Sequence, residues 1–160
     1  MRIWTLIVAI FCAGALSLGA MPQASERNGT TDVVTARCVD VIDGDTLVVR
    51  LDGHEMIVEL DGIDAPELGQ PLGREIRGLV RDLVRGREVV VELTGGNSPG
   101  CARVAVDGLD LSQLLVERGL AWATDGGPLA ESSARAKSAR CGIWIEPEPV
   151  PPWEFRQIVG

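Results

Sequence analysis

The sequence predicts a mainly β domain with helices. Val-rich segments with strand propensity occur at 33–42, 46–51, 55–60, 88–93 and 102–106. Short turns containing Asp and Gly join the first three segments into a meander, and a helical pattern separates the third from the fourth. Five strands with one helix after the third is the order of an OB-fold, a small Greek-key barrel. We therefore expect an α+β domain, a five-stranded OB-fold barrel with three helices.

Three segments carry helix signals. Apolar residues recur at helical spacing over 72–84, and Gly86 follows in the position of a C-terminal cap. A second helix over 110–119 is predicted from Asp110, whose side chain can cap the first turn. The third helix is predicted over 128–142, with a proline in its first turn and a glycine at its end.

Length and charge limit the kind of protein that this chain can be. It has 160 residues, of which 46% are hydrophobic and 24% are charged, and this composition is typical of one globular domain rather than of a disordered chain. Its 15 Lys and Arg stand against 23 Asp and Glu, which gives a net charge of −8. Because non-specific binding to a polyanion needs clustered basic residues, this balance argues against a broad, non-specific grip on nucleic acid.

The first part of the chain is typical of a secretory signal peptide. Residues 3–20 follow a basic residue, carry no charge and end in small residues, so we assign 1–24 to a signal peptide and 25–32 to a polar linker. An uncleaved anchor is the alternative, because 18 apolar residues reach the lower limit for crossing a bilayer. We expect export to the periplasm or the exterior, without stable membrane association if the signal is cleaved. The domain then spans 33–146, followed by a Pro-rich C-terminal tail over 147–160.

Three cysteines remain after the signal segment. Cys38, Cys101 and Cys141 allow three disulfide pairings in an oxidising compartment, and three reduced thiols are the alternative. The sequence does not choose between these arrangements. A zinc site is excluded because the spacing of the cysteines is not of the metal-binding type and His54 is the single histidine.

Carboxylates concentrate in two short segments of the predicted meander. Val-Asp-Val-Ile-Asp-Gly-Asp-Thr-Leu occupies 39–47, and Leu-Asp-Gly-Ile-Asp-Ala-Pro-Glu occupies 60–67. Asp45 opens the second strand while Asp64 and Glu67 follow the third, and in a meander these strand ends lie together. Hard oxygen ligands of this kind suit Ca²⁺ or Mg²⁺. The alternative is that both segments are ordinary solvated turns, which Asp, Gly and Pro favour.

Further motifs accompany these two segments. Val-Ile-Asp-Gly-Asp-Thr-Leu at 41–47 and Gly-Ile-Asp-Ala-Pro-Glu at 62–67 occur together with Gly-Ile-Trp at 142–144 and Pro-Pro-Trp-Glu-Phe-Arg at 151–156. In this combination the sequence resembles the thermonuclease, or staphylococcal-nuclease-like, family over roughly 34–156. The resemblance implies hydrolysis of phosphodiester bonds in DNA and RNA with one bound ion, Ca²⁺ in preference to Mg²⁺. Single-stranded DNA or RNA is the expected partner, and we expect a monomer.

The resemblance also assigns roles to residues of this chain. Asp45 and Asp64 correspond to the two carboxylate ligands of the metal, and the backbone carbonyl of Ala65 corresponds to a third ligand. Glu67 corresponds to the catalytic glutamate that orients or deprotonates the attacking water. The metal would polarise the phosphate and stabilise the charge that develops on it.

Two positions depart from the family pattern. Glu59 and Pro99 stand where the family has the two arginines that clamp the phosphate. Because such an arginine is worth about 10³–10⁵ in rate in other phosphoryl-transfer enzymes, we expect a weakened nuclease. The alternative is a non-catalytic OB-fold module that binds an oligonucleotide, a peptide or an envelope component.

Overall fold

The computed structural model describes residues 33–95, 100–124 and 126–159, and the predicted signal peptide (1–24) and linker (25–32) lie outside these ranges. In chain order the described strands are β1 (Val33–Val41), β2 (Thr46–Leu51), β3 (His54–Leu60), β4 (Ile63–Asp64), β5 (Glu88–Leu93), β6 (Cys101–Val106), β7 (Leu109–Asp110) and β8 (Trp122–Ala123). The described helices are α1 (Gly73–Val84), α2 (Leu111–Glu117), α3 (Ala130–Ser138) and α4 (Pro152–Val159), with a 3₁₀ turn at Gly142–Ile145.

The five predicted strands form a closed barrel, which confirms the OB-fold prediction. Strands β3, β2, β1, β5 and β6 are neighbours in this order, and each adjacent pair is antiparallel. The barrel closes where β3 and β6 pair in parallel, with Glu59 opposite Cys101 and Leu60 opposite Ala102. The short β7 extends the sheet beyond β6.

The core lies inside the barrel and under α1. Along β2 the side chains of Leu47 and Val49 point inwards and are fully buried, while their neighbours are more exposed, as the two-residue period of a strand requires. Helix α1 contributes Ile76, Val80 and Val84 from one face, four residues apart. This helix therefore covers the barrel beside the β1–β2 turn.

Two glycines let neighbouring elements approach the segment 64–67. A Cβ at Gly44, in the β1–β2 turn, would lie 2.6 Å from the Cβ of Ala65. A Cβ at Gly73, at the start of α1, would lie 1.9 Å from the carbonyl oxygen of Glu67. Because any larger side chain would push these elements apart, both glycines set the position of the segment in the fold.

The helix boundaries agree with the sequence in part. The side chain of Asp110 accepts a hydrogen bond from the amide of Gln113 at 2.9 Å, as a helix cap does. The third helix covers Ala130–Ser138 and is therefore shorter than the predicted 128–142. Within the described ranges no helix is both long and apolar enough to cross a membrane.

The C-terminal segment contains more structure than the sequence predicts. A fourth helix, α4, occupies Pro152–Val159 within the predicted Pro-rich tail. Proline at its first position leaves no helical hydrogen bond unmade. The segment contacts the domain through the Trp153 ring, whose centroid lies 6.4 Å from that of Trp122. It also accepts a hydrogen bond at the Val150 carbonyl from the side chain of Gln70 at 2.9 Å.

The cysteines form none of the three pairings that the sequence allows. Cys38 and Cys141 are free thiols, and every pairing needs at least one of them. The thiol of Cys101 donates a hydrogen bond to Asp61 Oδ1 at 3.1 Å. The three thiols are therefore reduced in this structure.

Candidate active site

An acidic cavity of about 540 Å³ opens beside the seam that closes the barrel. Glu59 and Cys101, which pair across that seam, both line it. Its described lining includes six carboxylates, from Asp43, Asp45, Glu59, Asp61, Asp64 and Glu67. Arg156 is the single basic side chain among the described lining residues. A cation or a cationic side chain is therefore the natural occupant of this cavity.

The structure brings the residues predicted for the site into this one cavity. Asp45, Asp64, Ala65 and Glu67 all line it, and Glu59 lines it as well. Pro99, the second departed position, lies outside the described residues. The roles that the sequence gives to these residues stay predictions, but their convergence is a property of the fold.

The β1–β2 turn holds Asp45 in position. Within the turn, Asp43 Oδ1 accepts hydrogen bonds from the amides of Asp45 at 3.2 Å and Thr46 at 2.8 Å. This arrangement is an Asx turn, which Asp favours at such positions. The side chain of Asp45 is then free to reach across to the next segment, where its Oδ2 accepts a hydrogen bond from the Ala65 amide at 2.6 Å.

The environment of Asp45 favours its neutral form. Burial, the hydrogen bond with Asp43 and the nearby charges of Asp43 and Asp64 raise its pKa from 3.8 to about 8, and the hydrogen bond from the Ala65 amide opposes this shift. Without a cation, the neutral form of the Asp45 carboxyl therefore persists to a higher pH than that of an ordinary carboxyl. A clustered carboxylate of this kind gains its charge most readily when a cation binds beside it.

Strand pairing and local hydrogen bonds hold the segment that carries Asp64 and Glu67. Asp64 belongs to β4 and pairs with Trp122 of β8, which holds the backbone of the segment against the domain. The Glu67 amide donates a hydrogen bond to the side-chain oxygen of Gln70 at 2.8 Å. The Gln70 amide in turn donates to the Glu67 carbonyl at 2.8 Å, which closes a tight turn after Pro66.

Arg156 of α4 binds both carboxylates of this segment. Its guanidinium donates to Asp64 Oδ1 at 3.2 Å, to Asp64 Oδ2 at 2.9 Å and to Glu67 Oε1 at 2.7 Å. Hydrogen bonds to Asp64 and then Glu67 raise the pKa of Arg156 further above its ordinary value. No role for Arg156 follows from the sequence alone, although this residue ends the motif Pro-Pro-Trp-Glu-Phe-Arg at 151–156.

The donor set of the cavity fits a hard divalent cation. No group of three Asp, Glu, His or Cys side chains could by itself hold an ion among the described residues. Two carboxylates, Asp45 and Asp64, line one cavity beside the Ala65 backbone, and Ca²⁺ and Mg²⁺ prefer such oxygen ligands and complete their shells with water. Both oxygens of Asp64 accept from Arg156, so a cation would share this carboxylate with the guanidinium.

Comparison with known proteins decides the family. The model of the family described as staphylococcal nuclease homologue matches residues 57–146. The chain belongs to this family. The match confirms the resemblance read from the sequence and, at the level of the family, supports nucleic-acid hydrolysis. It includes Asp64 and Glu67, whereas Asp45 and helix α4 lie outside the matched residues.

Three relatives show how far this similarity extends. The chain is 34% identical over 132 residues to an uncharacterized endonuclease of Escherichia coli O157:H7. The aligned region covers 77% of this chain and 85% of the relative. It is 31% identical over 137 residues to a micrococcal nuclease of Shigella flexneri, covering 74% and 78% of the two chains. It is 32% identical over 102 residues to the probable staphylococcal-like nuclease CAN1 of Oryza sativa subsp. japonica, covering 60% of this chain and 31% of that protein.

Proposed function

We propose that this member of the staphylococcal nuclease family is an exported, metal-dependent phosphodiesterase that cleaves single-stranded DNA or RNA as a monomer. The observation that carries the proposal is the convergence of Asp45, Asp64 and Glu67 on one cavity. Family membership supports nucleic acid as the substrate. Turn chemistry alone would not require three carboxylates from two distant segments to line the same cavity.

The residues of the cavity have separate roles in the proposed reaction. Asp45, Asp64 and the Ala65 carbonyl would hold one divalent cation, Ca²⁺ by preference, which when bound supplies positive charge at the phosphate. Glu67 orients the attacking water and accepts its proton as the water oxygen bonds to phosphorus. The bond between phosphorus and the leaving ester oxygen breaks in the same reaction, and that oxygen takes up a proton from solvent. The exposed fraction of the Glu67 side chain is 32%, so water reaches it from the open side of the cavity.

The charge of the cavity supports a weakened activity. Glu59 is exposed on the cavity wall at the position where the family has a phosphate-clamping arginine. A carboxylate there repels the phosphate instead of attracting it. Loss of a clamping arginine costs about 10³–10⁵ in rate in related chemistry, and a cation-driven reaction with that loss remains measurable because phosphodiesterases start from very large accelerations.

Cleavage by matched variants tests the proposal. Purified mature protein is incubated with single-stranded DNA and Ca²⁺, alongside Asp45→Ala and the control Asp82→Ala, which removes an equal charge from the exposed face of α1. We expect cleavage by the wild type and the control, and none by Asp45→Ala or in the presence of a chelator. Cleavage that survives Asp45→Ala would contradict the role of the cavity.

A non-catalytic binding module is the second candidate. The excess of six carboxylates over one arginine in the cavity favours it, because that charge opposes a phosphate substrate. If no cation supports cleavage by the wild type while the protein binds a labelled oligonucleotide or peptide, the binding module takes first place.

Export is tested separately: intact mass of secreted protein should place the first residue between Ala20 and Ser25.

A further inference from the structure

Helix α4 reaches the acidic cavity from the far end of the chain. Arg156 lies 92 residues from Asp64 and 89 residues from Glu67 in sequence, yet it is bound to both. The family match ends at residue 146, so the helix that supplies this arginine is outside the matched domain. The site of this chain is therefore completed by a segment that the family model does not cover.

The guanidinium of Arg156 binds the two carboxylates in a defined orientation. Three of its N–H groups donate to carboxylate oxygens, two to Asp64 and one to Glu67. Bidentate contacts between a guanidinium and a carboxylate fix direction as well as charge. The side chain of Asp64 is 22% exposed and that of Arg156 is 51% exposed, so these bonds stand at the edge of the cavity rather than in bulk solvent.

Other contacts hold α4 where Arg156 can reach the carboxylates. The ring of Phe155 packs over Gly69, where a Cβ would lie 3.4 Å from it. The Gln70 side chain donates to the Val150 carbonyl at 2.9 Å, just before the helix. The same Gln70 side chain accepts from the Glu67 amide. The C-terminal segment and the turn that carries Glu67 are therefore bound to each other at two places.

We propose that Arg156 is a positioning residue of this site, which orients the carboxylates of Asp64 and Glu67 and offsets their mutual repulsion. Two carboxylates in one short turn repel each other, and a glutamate side chain samples several rotamers unless a partner holds it. The guanidinium of Arg156 offsets the repulsion between the two carboxylates and also holds the glutamate side chain in one rotamer. The proposal rests on the proposed function, since the two carboxylates are those assigned to the cation and the water.

Kinetics of full-length variants test this role. Arg156→Gln and Arg156→Lys are compared with Arg50→Gln, a control that also removes an arginine paired with a glutamate, Glu55, on the exposed surface. At saturating Ca²⁺ we expect Arg156→Gln to lower kcat by about 10–100-fold, as loss of an outer partner of a metal site does, with KM within about twofold. Arg156→Lys should recover part of this loss, and Arg50→Gln should match the wild type.

A second measurement does not depend on activity. Hydrogen–deuterium exchange of the peptide covering 61–70, measured without cation, should be faster in Arg156→Gln than in the wild type and in Arg50→Gln. If the wild type does not cleave, the proposed function fails while this measurement still decides the positioning role. Unchanged exchange together with unchanged kcat would overturn the proposal. A higher kcat in Arg156→Gln would also overturn it, because Arg156 would then block the site.

Discussion

Replacing Asp45 by Asn should stabilise the cation-free protein at neutral and alkaline pH. Burial, with contributions from Asp43 and Asp64, raises the pKa of Asp45 from 3.8 to about 8. Between these two pH values the folded protein binds a proton that the unfolded chain has released. Its free energy of unfolding therefore falls as the pH rises through this window. Asparagine is neutral throughout, and its side-chain oxygen can still accept the hydrogen bond from the Ala65 amide.

The magnitude follows from the width of the window. A shift from 3.8 to about 8 is roughly four pH units, which corresponds to at most about 6 kcal/mol of unfolding free energy at 1.4 kcal/mol per unit. The side chain of Asp45 is partly exposed, so water recovers some of this cost. We expect Asp45→Asn to exceed the wild type by at least about 2 kcal/mol at pH 8, with a much smaller difference at pH 5.

Urea unfolding at pH 5 and pH 8 in a chelator measures this difference. The control is Asp82→Asn on the exposed face of α1, which should follow the wild type at both pH values. Millimolar Ca²⁺ should raise the melting temperature of the wild type at pH 8 but not that of Asp45→Asn, because binding to the folded state stabilises it by linkage. Equal stability of Asp45→Asn and wild type at pH 8 would refute the proposed environment of this carboxyl.

Two other changes should have measurable outcomes. Glu59→Arg replaces a repulsive charge on the cavity wall by a bidentate donor, so Ca²⁺-dependent cleavage of single-stranded DNA should rise at least tenfold, about 1.4 kcal/mol of transition-state stabilisation. Glu88→Arg, at the exposed first residue of β5, should not change the cleavage. Equal gains from both variants would point to net charge alone. Burial raises the pKa of Cys38 from 9.0 to about 11, so iodoacetamide at pH 8 should label the partly exposed Cys141 and reach Cys38 only when urea unfolds the protein. Rapid labelling of Cys38 in the folded state would contradict this prediction.

Local sequence patterns were sufficient for the barrel and insufficient for its smallest parts. The five long strands alternate buried and exposed residues over six to nine positions, which is enough for the two-residue period to be recognised. Strands β4 and β8 have two residues each, too few for any period. They exist because Ile63 and Ala123 meet in the folded chain, and such a pairing has no signal in either segment alone.

The residues of the candidate site were likewise predictable from local sequence only in part. Asp45, Asp64 and Glu67 could be proposed from sequence because each follows a turn at a predictable end of a strand. Arg156 could not, because the prolines around it favour an irregular tail and its partners are about ninety residues away. The remaining signal was the resemblance of 151–156 to a motif of the family, although the family match itself ends at residue 146. A motif of this kind does not show which residues its side chains contact.

The contacts of Arg156 also limit what it can replace. Its three described hydrogen bonds go to Asp64 and Glu67, so its guanidinium binds the acidic residues rather than a substrate phosphate. Glu59 adds a further negative charge on the wall of the same cavity. In the proposed function, a phosphate in this cavity therefore obtains most of its electrostatic stabilisation from the cation. Removing Arg156 acts on the carboxylates, and introducing arginine at position 59 acts on the substrate. Because both residues line one cavity, a double-mutant cycle should show how strongly the two effects on the rate are coupled.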